Sequence, residues 1–518
     1  MKKKLLHFPG MSQSGDPQRQ RLLLVRLSGE LSIKAKGTRT HFTRRLAKNL
    51  TDALKSAGLP FELRRTWSRI FIESASDEVA EWARRVFGVS SVSPVVHRRW
   101  ESFEELVRCG EEIFSPGVAG KTFAVRARRS QRDKIPFRSA ELDRELGTRL
   151  LPYSAGVDLS QPQFVASVEV HPREAYFFSE IIAGSGGLPI GVGGEAVALV
   201  SGGFDSVVAA WLMLRRGVVL DYVFCNLGGT SHRDEALRVM KVISDGWSFG
   251  YRPRIHVVDF RPLVEELQDR CPPYLWQVVI KRQMVRAAEQ VARIVGAVGI
   301  VTGEAVGQVS SQTLQNLVVI SDATTVPILR PLAGANKEEI VDYARRIGSY
   351  ELSARVPEYC ALVRRRPATH ATVEQVERAE TDLDPGRLAQ LVADRANIDL
   401  RALDLDKTSA PELELESIPE GAAIIDLRSP LAFNSWHYPG ARRLGYFEAL
   451  KAYPSFDRHR TYLFYCEIGL KSAHLAEVMH EAGFRAYHFK GGLKHLLRYV
   501  EGQDPALRAL MSPALLTE

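Results

Sequence analysis

The sequence of 518 residues is poor in cysteine and has no long hydrophobic run. Its five cysteines stand at positions 109, 225, 271, 360 and 466. Because they are scattered and form no Cys-x-x-Cys pair, they argue against a secreted disulfide framework and a zinc ribbon. No apolar run approaches the ~20 residues of a membrane span, and we see no internal repeat. We therefore expect a soluble cytoplasmic protein of three or four domains.

Basic residues are concentrated in the first part of the chain. Residues 1–150 hold 30 Lys and Arg against 17 Asp and Glu, a balance of +13, whereas the whole chain has a net charge of +8. A basic module joined to a mildly acidic remainder favours a dedicated site for a polyanion such as nucleic acid. A solvated basic surface without a partner is the alternative.

Short apolar segments alternate with longer helical patterns from Ala196 to about Gly348. The expected strands are Ala196–Val200, Leu220–Cys225, Ile255–Phe260, Val298–Thr302 and Val326–Leu329. The expected helices are Ser206–Arg216, Asp234–Trp247, Tyr274–Val295 and Lys337–Ile347. This alternation predicts a doubly wound parallel sheet, which binds ligands at the carboxyl ends of its strands.

The first of these strands runs into a glycine turn and then a helix. The turn has the sequence Ser-Gly-Gly-Phe-Asp-Ser at 201–206, and no Lys-Ser or Lys-Thr pair follows, so it is not a Walker P-loop. Backbone N–H groups, serine hydroxyls and the helix N-terminus suit a phosphate there. The hexapeptide resembles the loop of PP-loop ATP pyrophosphatases, which implies that Asp205 lies near the phosphates through Mg²⁺.

A second loop places a thiol between a strand and a helix. Cys466 follows the apolar run Tyr462-Leu463-Phe464-Tyr465 and begins Cys-Glu-Ile-Gly-Leu-Lys-Ser. Successive backbone N–H groups and the following helix would favour a thiolate or persulfide. A small buried hydrophobic residue that ends a strand is the alternative. The flanking segments, 424–430, 437–441 and 489–493, make the region resemble a rhodanese domain, which carries sulfur as cysteine persulfide.

The order of these motifs resembles the tRNA 4-thiouridine synthetase, or tRNA sulfurtransferase, family. The strongest parts are 201–206, the segment Gly-Glu-Ala-Val-Gly-Gln-Val-Ser-Ser-Gln-Thr at 303–313, and Pro-Glu-Tyr-Cys at 357–360. The resemblance implies an α/β multidomain protein. Its expected parts are an N-terminal α+β ferredoxin-like domain (1–76), a THUMP RNA-binding domain (77–182), a PP-loop domain (183–380), a linker (381–419) and an α/β rhodanese domain (420–518).

The resemblance also implies an activity and its residues. ATP activates O4 of uridine 8 in tRNA, and a persulfide sulfur replaces the adenylated oxygen. Cys466 is then the persulfide carrier, and Cys360 is the thiol that forms a disulfide with it. The expected nucleotide contacts are Leu199, Val200, Ser201, Gly202, Gly203, Ser206, Phe224, Cys225, Lys281, Gly303, Gln312 and Lys337.

The family also implies partners. A cysteine desulfurase would donate the persulfide, and some members supply sulfur to a carrier protein of thiamine synthesis. We expect no membrane and leave the oligomeric state open, a homodimer included. For tRNA, the expected phosphate contacts are Arg126, Arg128, Arg129, Arg132 and Arg138, with Phe123 and Phe137 nearby.

Three alternatives remain at this stage. Family members without a rhodanese domain use an iron–sulfur cluster held by three cysteines; the complete rhodanese loop argues against a cluster here. A rhodanese-type sulfur carrier that mainly serves thiamine synthesis is the second alternative, and a nonenzymatic RNA-binding protein is the third. The sequence assigns no role to Cys271 or to the glycine-rich segment 184–194.

Overall fold

The computed structural model describes residues 21–66, 69–130, 132–354, 356, 367–405, 413–467 and 469–503. These residues form two compact units. The first runs through Val192 and includes Arg215–Gly217, and the second contains the rest. No helix within the described ranges is both long enough and apolar enough to span a bilayer.

The first unit is built on one nine-stranded mixed sheet. Its strands are β1 (Arg21–Leu27), β2 (Glu62–Arg65), β3 (Arg69–Ser74), β4 (Val89–Arg99), β5 (Thr122–Arg129), β6 (Gly156–Val157), β7 (Phe164–His171), β8 (Glu174–Phe178) and β9 (Ile182–Ala183). Its helices are α1 (Gly29–Ser32), α2 (Lys36–Ser56), α3 (Glu78–Arg85), α4 (Phe103–Val118) and α5 (Ser139–Leu150). The strand order is β2-β3-β1-β4-β8-β7-β5-β6, with β9 beside β4.

The long strand β4 joins the two halves of this sheet. Its first half pairs antiparallel with β1, and its second half pairs antiparallel with β8. The expected boundary between residues 76 and 77 therefore does not separate two sheets. The glycine-rich segment after β9 belongs to this unit too, since Gly184 N donates to Ser90 O at 2.8 Å and Ser185 N donates to Arg84 O at 2.9 Å.

The second unit begins with a central domain. Its strands are β10 (Glu195–Leu199), β11 (Val219–Asn226), β12 (Arg254–Asp259), β13 (Ile300–Val301), β14 (Ile328–Leu329) and β15 (Ala396–Asp399). Its helices are α6 (Phe204–Arg215), α7 (Gly229–Trp247), α8 (Arg261–Arg270), α9 (Trp276–Val295), α10 (Leu314–Ser321), α11 (Lys337–Ile347), α12 (Tyr350–Ser353), α13 (Val373–Glu380) and α14 (Arg387–Ala393). The sheet order is β14-β13-β10-β11-β12-β15, parallel except for the last pair.

The edge strand β15 corrects the expected linker at 381–419. Residues 396–399 pair antiparallel with β12 in the register Arg254↔Asp399 to Val257↔Ala396, and α14 packs into the same core through Leu388 and Val392. The first part of that segment is thus structured because it covers an otherwise open edge of the sheet.

The C-terminal domain completes the second unit. Its strands are β16 (Glu414–Leu415), β17 (Ala423–Asp426), β18 (Arg442–Arg443), β19 (Thr461–Tyr465) and β20 (Arg485–Phe489). Its helices are α15 (Pro430–Ser435), α16 (Tyr446–Ala452), α17 (Leu470–Glu481) and α18 (Gly492–Gln503). The sheet is wholly parallel in the order β16-β20-β19-β17-β18, with an apolar cluster on each face.

Candidate active site

The glycine turn lies where the strand order of the central sheet reverses. The chain moves from β10 outward to β11 and β12, and then returns to β13 on the other side of β10. In open α/β sheets this reversal leaves a crevice at the carboxyl ends of the two strands, and ligands bind in it. The sequence 201–206 follows β10, and 303–313 follows β13. The fold therefore brings both predicted loops to one crevice.

Close packing fixes the glycine turn. Gly202 has φ +82°, and a Cβ there would lie 3.1 Å from Ala236 Cα in α7. Ser201 N donates to Ser206 Oγ at 3.2 Å, and Ser206 Oγ donates to Gly203 O at 3.1 Å. A Cβ at Gly303 would lie 2.6 Å from Ser206 N, so the loop after β13 rests on the start of α6. A side chain in place of either glycine would therefore displace the turn.

Asp205 receives two hydrogen bonds from other loops. Lys337 Nζ, at the start of α11, donates to Asp205 Oδ1 at 3.0 Å, and Gln308 Nε2 donates to Asp205 Oδ2 at 2.9 Å. Carboxylate oxygens are the ligands that Mg²⁺ prefers, so Asp205 fits a cation that arrives with a nucleotide. The sequence assigned Asp205 and Lys337 separately to the nucleotide site, without a contact between them, and gave Gln308 no role.

A buried carboxylate holds two cations at the same crevice. Glu304 Oε1 lies 3.4 Å from Lys281 Nζ, and Glu304 Oε2 lies 2.9 Å from Arg330 Nε. Burial favours the neutral acid, but Lys281 and Arg330 outweigh it and lower the pKa of Glu304 from its ordinary value. Glu304 and Arg330 were only parts of the predicted rim; their position at strand ends was the available signal.

Among the remaining expected nucleotide contacts, some offer a side chain and others only their backbone. The Gln312 side chain is buried, and its Oε1 has no hydrogen-bond partner in the described structure, which suits a ligand contact. Phe224 and Cys225 lie near the end of β11 with buried side chains, and burial raises the pKa of the Cys225 thiol. These two residues can meet a nucleotide only through their backbone. Leu199 is the last residue of β10, and Val200 lies between β10 and the turn.

Cys466 lies directly after β19, with a side chain only 3% exposed. Its Sγ is 3.5 Å from Ser472 Oγ, and Ser472 Oγ donates to Gly469 O at 2.9 Å. Gly469, the residue before α17, has φ +89°, a conformation that favours glycine, and a Cβ there would lie 3.2 Å from Gly492 N. The cysteine is therefore held in a tight turn at the N-terminus of α17, as the sequence predicts.

A buried ion pair joins the end of β17 to the loop that follows it. Arg428 Nη2 donates to Asp426 Oδ2 at 2.7 Å and to Trp436 O at 2.5 Å. Tyr465 OH accepts from Tyr438 N at 3.1 Å. Strands β17 and β19 also pair directly, from Ala423↔Tyr462 to Asp426↔Tyr465, so Cys466 follows a strand whose register is fixed.

Two further cysteines considered from the sequence are Cys360 and Cys271. Cys360 is outside the described residues, and so is the Arg132 side chain. Cys271 is buried, its Sγ donates to Ala379 O at 3.1 Å, and burial raises the pKa of its thiol to about 11, so it acts as a structural thiol. Within the described ranges, no group of three His, Cys, Asp or Glu side chains could hold a metal ion.

The arginines expected to contact RNA, on β5 and after it, differ in exposure. Arg126, Arg128 and Arg138 are exposed. Arg129 turns inward and donates to Ile135 O at 3.2 Å and also to Phe137 O. The aromatic rings of Phe123 and Phe137 are buried in the core of the unit, so neither lies on a surface that a nucleic acid could reach.

Four family models match consecutive parts of the chain. They are the ThiI ferredoxin-like domain at 22–93, the THUMP domain at 101–180, the thiamine biosynthesis protein (ThiI) at 191–384 and the rhodanese-like domain at 409–498. Fold and site thus define a multidomain protein in which a ferredoxin-like and THUMP pair precedes a PP-loop domain and a rhodanese-like domain. The expected fold class is confirmed.

Comparison with individual proteins identifies the family within this class. The chain is 38% identical over 473 residues to a tRNA sulfurtransferase of Pyrobaculum aerophilum, covering 90% of this chain and 96% of the relative. It is 32% identical over 478 residues to that of Yersinia pestis, with 89% and 98% covered. A crystal structure of a 4-thiouridine synthetase–RNA complex with bound ATP is 31% identical with a TM-score of 0.63, covering 73% of this chain and 99% of that one. The chain belongs to the tRNA sulfurtransferase family.

Proposed function

We propose that the chain is an ATP-dependent tRNA uracil 4-sulfurtransferase that converts uridine 8 of tRNA to 4-thiouridine in the cytoplasm. The observation that carries the proposal is that the glycine turn at Asp205 and the thiol turn at Cys466 belong to one compact unit. The structural relative, described as a 4-thiouridine synthetase–RNA complex with bound ATP, supports tRNA and ATP as substrates.

In the first step, the uridine O4 attacks the α-phosphate of ATP, pyrophosphate leaves, and O4 becomes adenylated. The turn at 201–203 and Ser206 would receive the phosphates, with Lys281 and Lys337 supplying positive charge. Asp205 would hold the substrate-associated Mg²⁺, which neutralises phosphate charge. Gln312 and the backbone at Leu199, Val200, Phe224, Cys225 and Gly303 would line the remainder of the nucleotide.

In the second step, sulfur is transferred from Cys466, which receives it as a persulfide from a cysteine desulfurase. The terminal sulfur attacks C4, and AMP leaves with the original oxygen. The Cys360 thiolate then attacks Cys466 Sγ, so the bond to the transferred sulfur breaks and thiouridine departs with the electron pair. A disulfide between Cys360 and Cys466 remains, and a dithiol reductant resets it. No iron–sulfur cluster is required.

Asp205→Ala tests the adenylation step. Because Asp205 meets the nucleotide and not the persulfide, the variant should lose about 100-fold or more in thiouridine formation, while persulfide loading of Cys466 is unchanged. Asp342→Ala, which removes an exposed carboxylate from α11, is the matched control. Normal thiolation by Asp205→Ala would exclude this mechanism.

A second candidate function is sulfur delivery for the thiazole of thiamine, through a sulfur-carrier protein. It is favoured by the family model at 191–384, which is described as a thiamine biosynthesis protein. Direct persulfide transfer to such an acceptor needs no adenylation at Asp205. Sulfur transfer to the carrier should therefore survive Asp205→Ala and be abolished by Cys466→Ala; equal loss in both variants would contradict this route.

A further inference from the structure

The helix that follows the cysteine loop also contacts the central domain. Glu477, on α17, accepts a hydrogen bond from Thr230 N at 2.8 Å through Oε2, and its Oε1 accepts from Thr230 Oγ1. Thr230 lies in the first turn of α7, 247 positions away in sequence. Glu477 is only 9% exposed, so a desolvated carboxylate is satisfied by a helix of another domain.

The N-terminus of α7 has features that suit the Glu477 carboxylate. The residue before the helix is Gly228, which supplies no side-chain cap, so the first N–H groups of α7 depend on an acceptor from outside the helix. The N-terminus of a 19-residue helix also favours negative charge. At Gly229, a Cβ would collide with Glu477 Oε2 and lie 3.1 Å from His474 Cδ2. The two helices approach this closely only because that position is glycine.

The same two helices reach both reactive turns. On α17, Ser472 Oγ lies 3.5 Å from Cys466 Sγ. On α7, His232 follows Thr230 by two positions and hydrogen-bonds with the backbone of Ser201 in the glycine turn. The two helices that Glu477 joins therefore contact the thiol turn and the phosphate turn, respectively.

A second contact between the two domains is an ion pair that lies in solvent. Lys451 Nζ and Asp269 Oδ1 are 3.0 Å apart, but the two side chains are 74% and 60% exposed. Exposed pairs of this kind add little to an interface, whereas truncating one partner of a buried, hydrogen-bonded charge is costly. Of these two contacts between described residues, the one made by Glu477 is therefore the one whose loss should cost more.

We propose that Glu477 is a positioning residue for sulfur transfer: by capping α7, it holds the cysteine-bearing domain against the nucleotide domain when the sulfur is delivered. This inference rests on the proposed function. Glu477 does not touch the reacting atoms. Its loss should therefore spare reactions that each domain performs alone and impair only the reaction that requires both.

The test compares three reactions of the full-length chain. They are persulfide loading of Cys466 by a cysteine desulfurase, thiocyanate formation from cyanide by the loaded protein, and single-turnover thiolation of unmodified tRNA with ATP. Glu477→Ala should slow the third at least tenfold and leave the first two within twofold of wild type. Glu477→Gln, which keeps one acceptor, should be intermediate. Glu501→Ala, at an exposed site on α18, should behave as wild type.

Thr230→Val provides the second half of a double-mutant cycle. If Glu477 acts through Thr230, then Glu477→Ala combined with Thr230→Val should be no slower than Glu477→Ala alone. Wild-type thiolation by Glu477→Ala, or an equal loss in all three reactions, would overturn the inference. If wild type itself loads sulfur and forms thiocyanate but thiolates no tRNA, it is instead the proposed function that fails.

Discussion

The two carboxylates of the nucleotide crevice have different surroundings. Asp205 is half-buried and bound by Lys337 and Gln308, whereas Glu304 is buried between Lys281 and Arg330. Both carboxylate oxygens of Glu304 contact cationic side chains of the protein, so Glu304 holds Lys281 and Arg330 in position. Asp205 keeps partial exposure, which leaves it able to meet a cation that enters with ATP.

Glu304→Gln should destabilise the central domain. Removing the charge leaves Lys281 and Arg330 close together without a counter-ion, at a cost of about 3 kcal/mol in the free energy of unfolding. A bound triphosphate supplies negative charge to the same cations, so a nonhydrolysable ATP analogue should reduce the difference in Tm between variant and wild type. Glu377→Gln, exposed on α13, is the control. An unchanged difference with the analogue would contradict this role.

At the residue scale, sequence reasoning succeeded where a residue's place on the chain decides its position. Asp205 and Lys337 lie in the first turns of α6 and α11, and Cys466 follows β19, which are the places that the sequence predicts for them. It failed for Phe123 and Phe137, because aromatic residues beside arginines resemble a stacking surface until their burial is known. Gln308 was missed because its partner, Asp205, lies 103 positions away.

At the element scale, β5 divides the predicted RNA-binding arginines between two roles. Arg126 and Arg128 lie two positions apart and are exposed, while Arg129 points to the other face and holds two carbonyl groups. Arg126→Ala and Arg128→Ala should each reduce the slope of log K against log salt for tRNA binding by about 1. Arg129→Ala should lower the unfolding temperature and leave that slope unchanged. Equal changes of slope in all three variants would contradict this division.

The sheet of the first unit contains a buried charge cluster that should make its stability depend on pH. Burial alone would raise the pKa of Glu169 on β7, but hydrogen bonds from His171 and Arg69 and the charge of Arg26 lower it to about 2, from 4.5. A lowered pKa stabilises the fold above pH 4.5, and that contribution is lost as the pH falls toward 2. Its size is roughly 3 kcal/mol.

Hydrogen exchange of the β7 amides measures this contribution. Wild type should lose protection between pH 7 and pH 3 relative to Glu169→Gln, because the variant has no carboxylate to protonate. Glu180→Gln, at an exposed position, should follow wild type. Parallel losses in wild type and Glu169→Gln would show that the cluster does not supply the stabilisation.

At the element scale, a helix or strand could also be predicted from the sequence where its capping residues and its apolar pattern indicate the same bounds. Helix α11 begins and ends where expected, because Asn336 forms a capping box with Glu339 and Gly348 ends the helix in a left-handed conformation. Strand β15 was missed because its four residues, Ala-Asn-Ile-Asp, are short and half polar. Only its pairing with β12 makes it a strand, and pairing partners are set by the tertiary fold.

At the scale of the whole molecule, the arginines proposed to bind tRNA and the two turns proposed to carry the reaction lie in different units. The basic excess of residues 1–150 falls in the first unit, which carries the exposed arginines, and the two reactive turns fall in the second. Sequence order predicted this division, because each motif is local. The contact between α17 and α7 was not predictable, since it joins positions 247 apart through a carboxylate that no motif includes.

The central claim is that sulfur on Cys466 reaches tRNA only after ATP activates the uridine and with a second thiol at Cys360. The most direct test is thiouridine formation on unmodified tRNA with Mg²⁺-ATP, a cysteine desulfurase and cysteine, comparing wild type with Cys466→Ala and Cys360→Ala. The account predicts product that requires ATP and both thiols under multiple turnover. Wild-type product from either variant, or product without ATP, would contradict it.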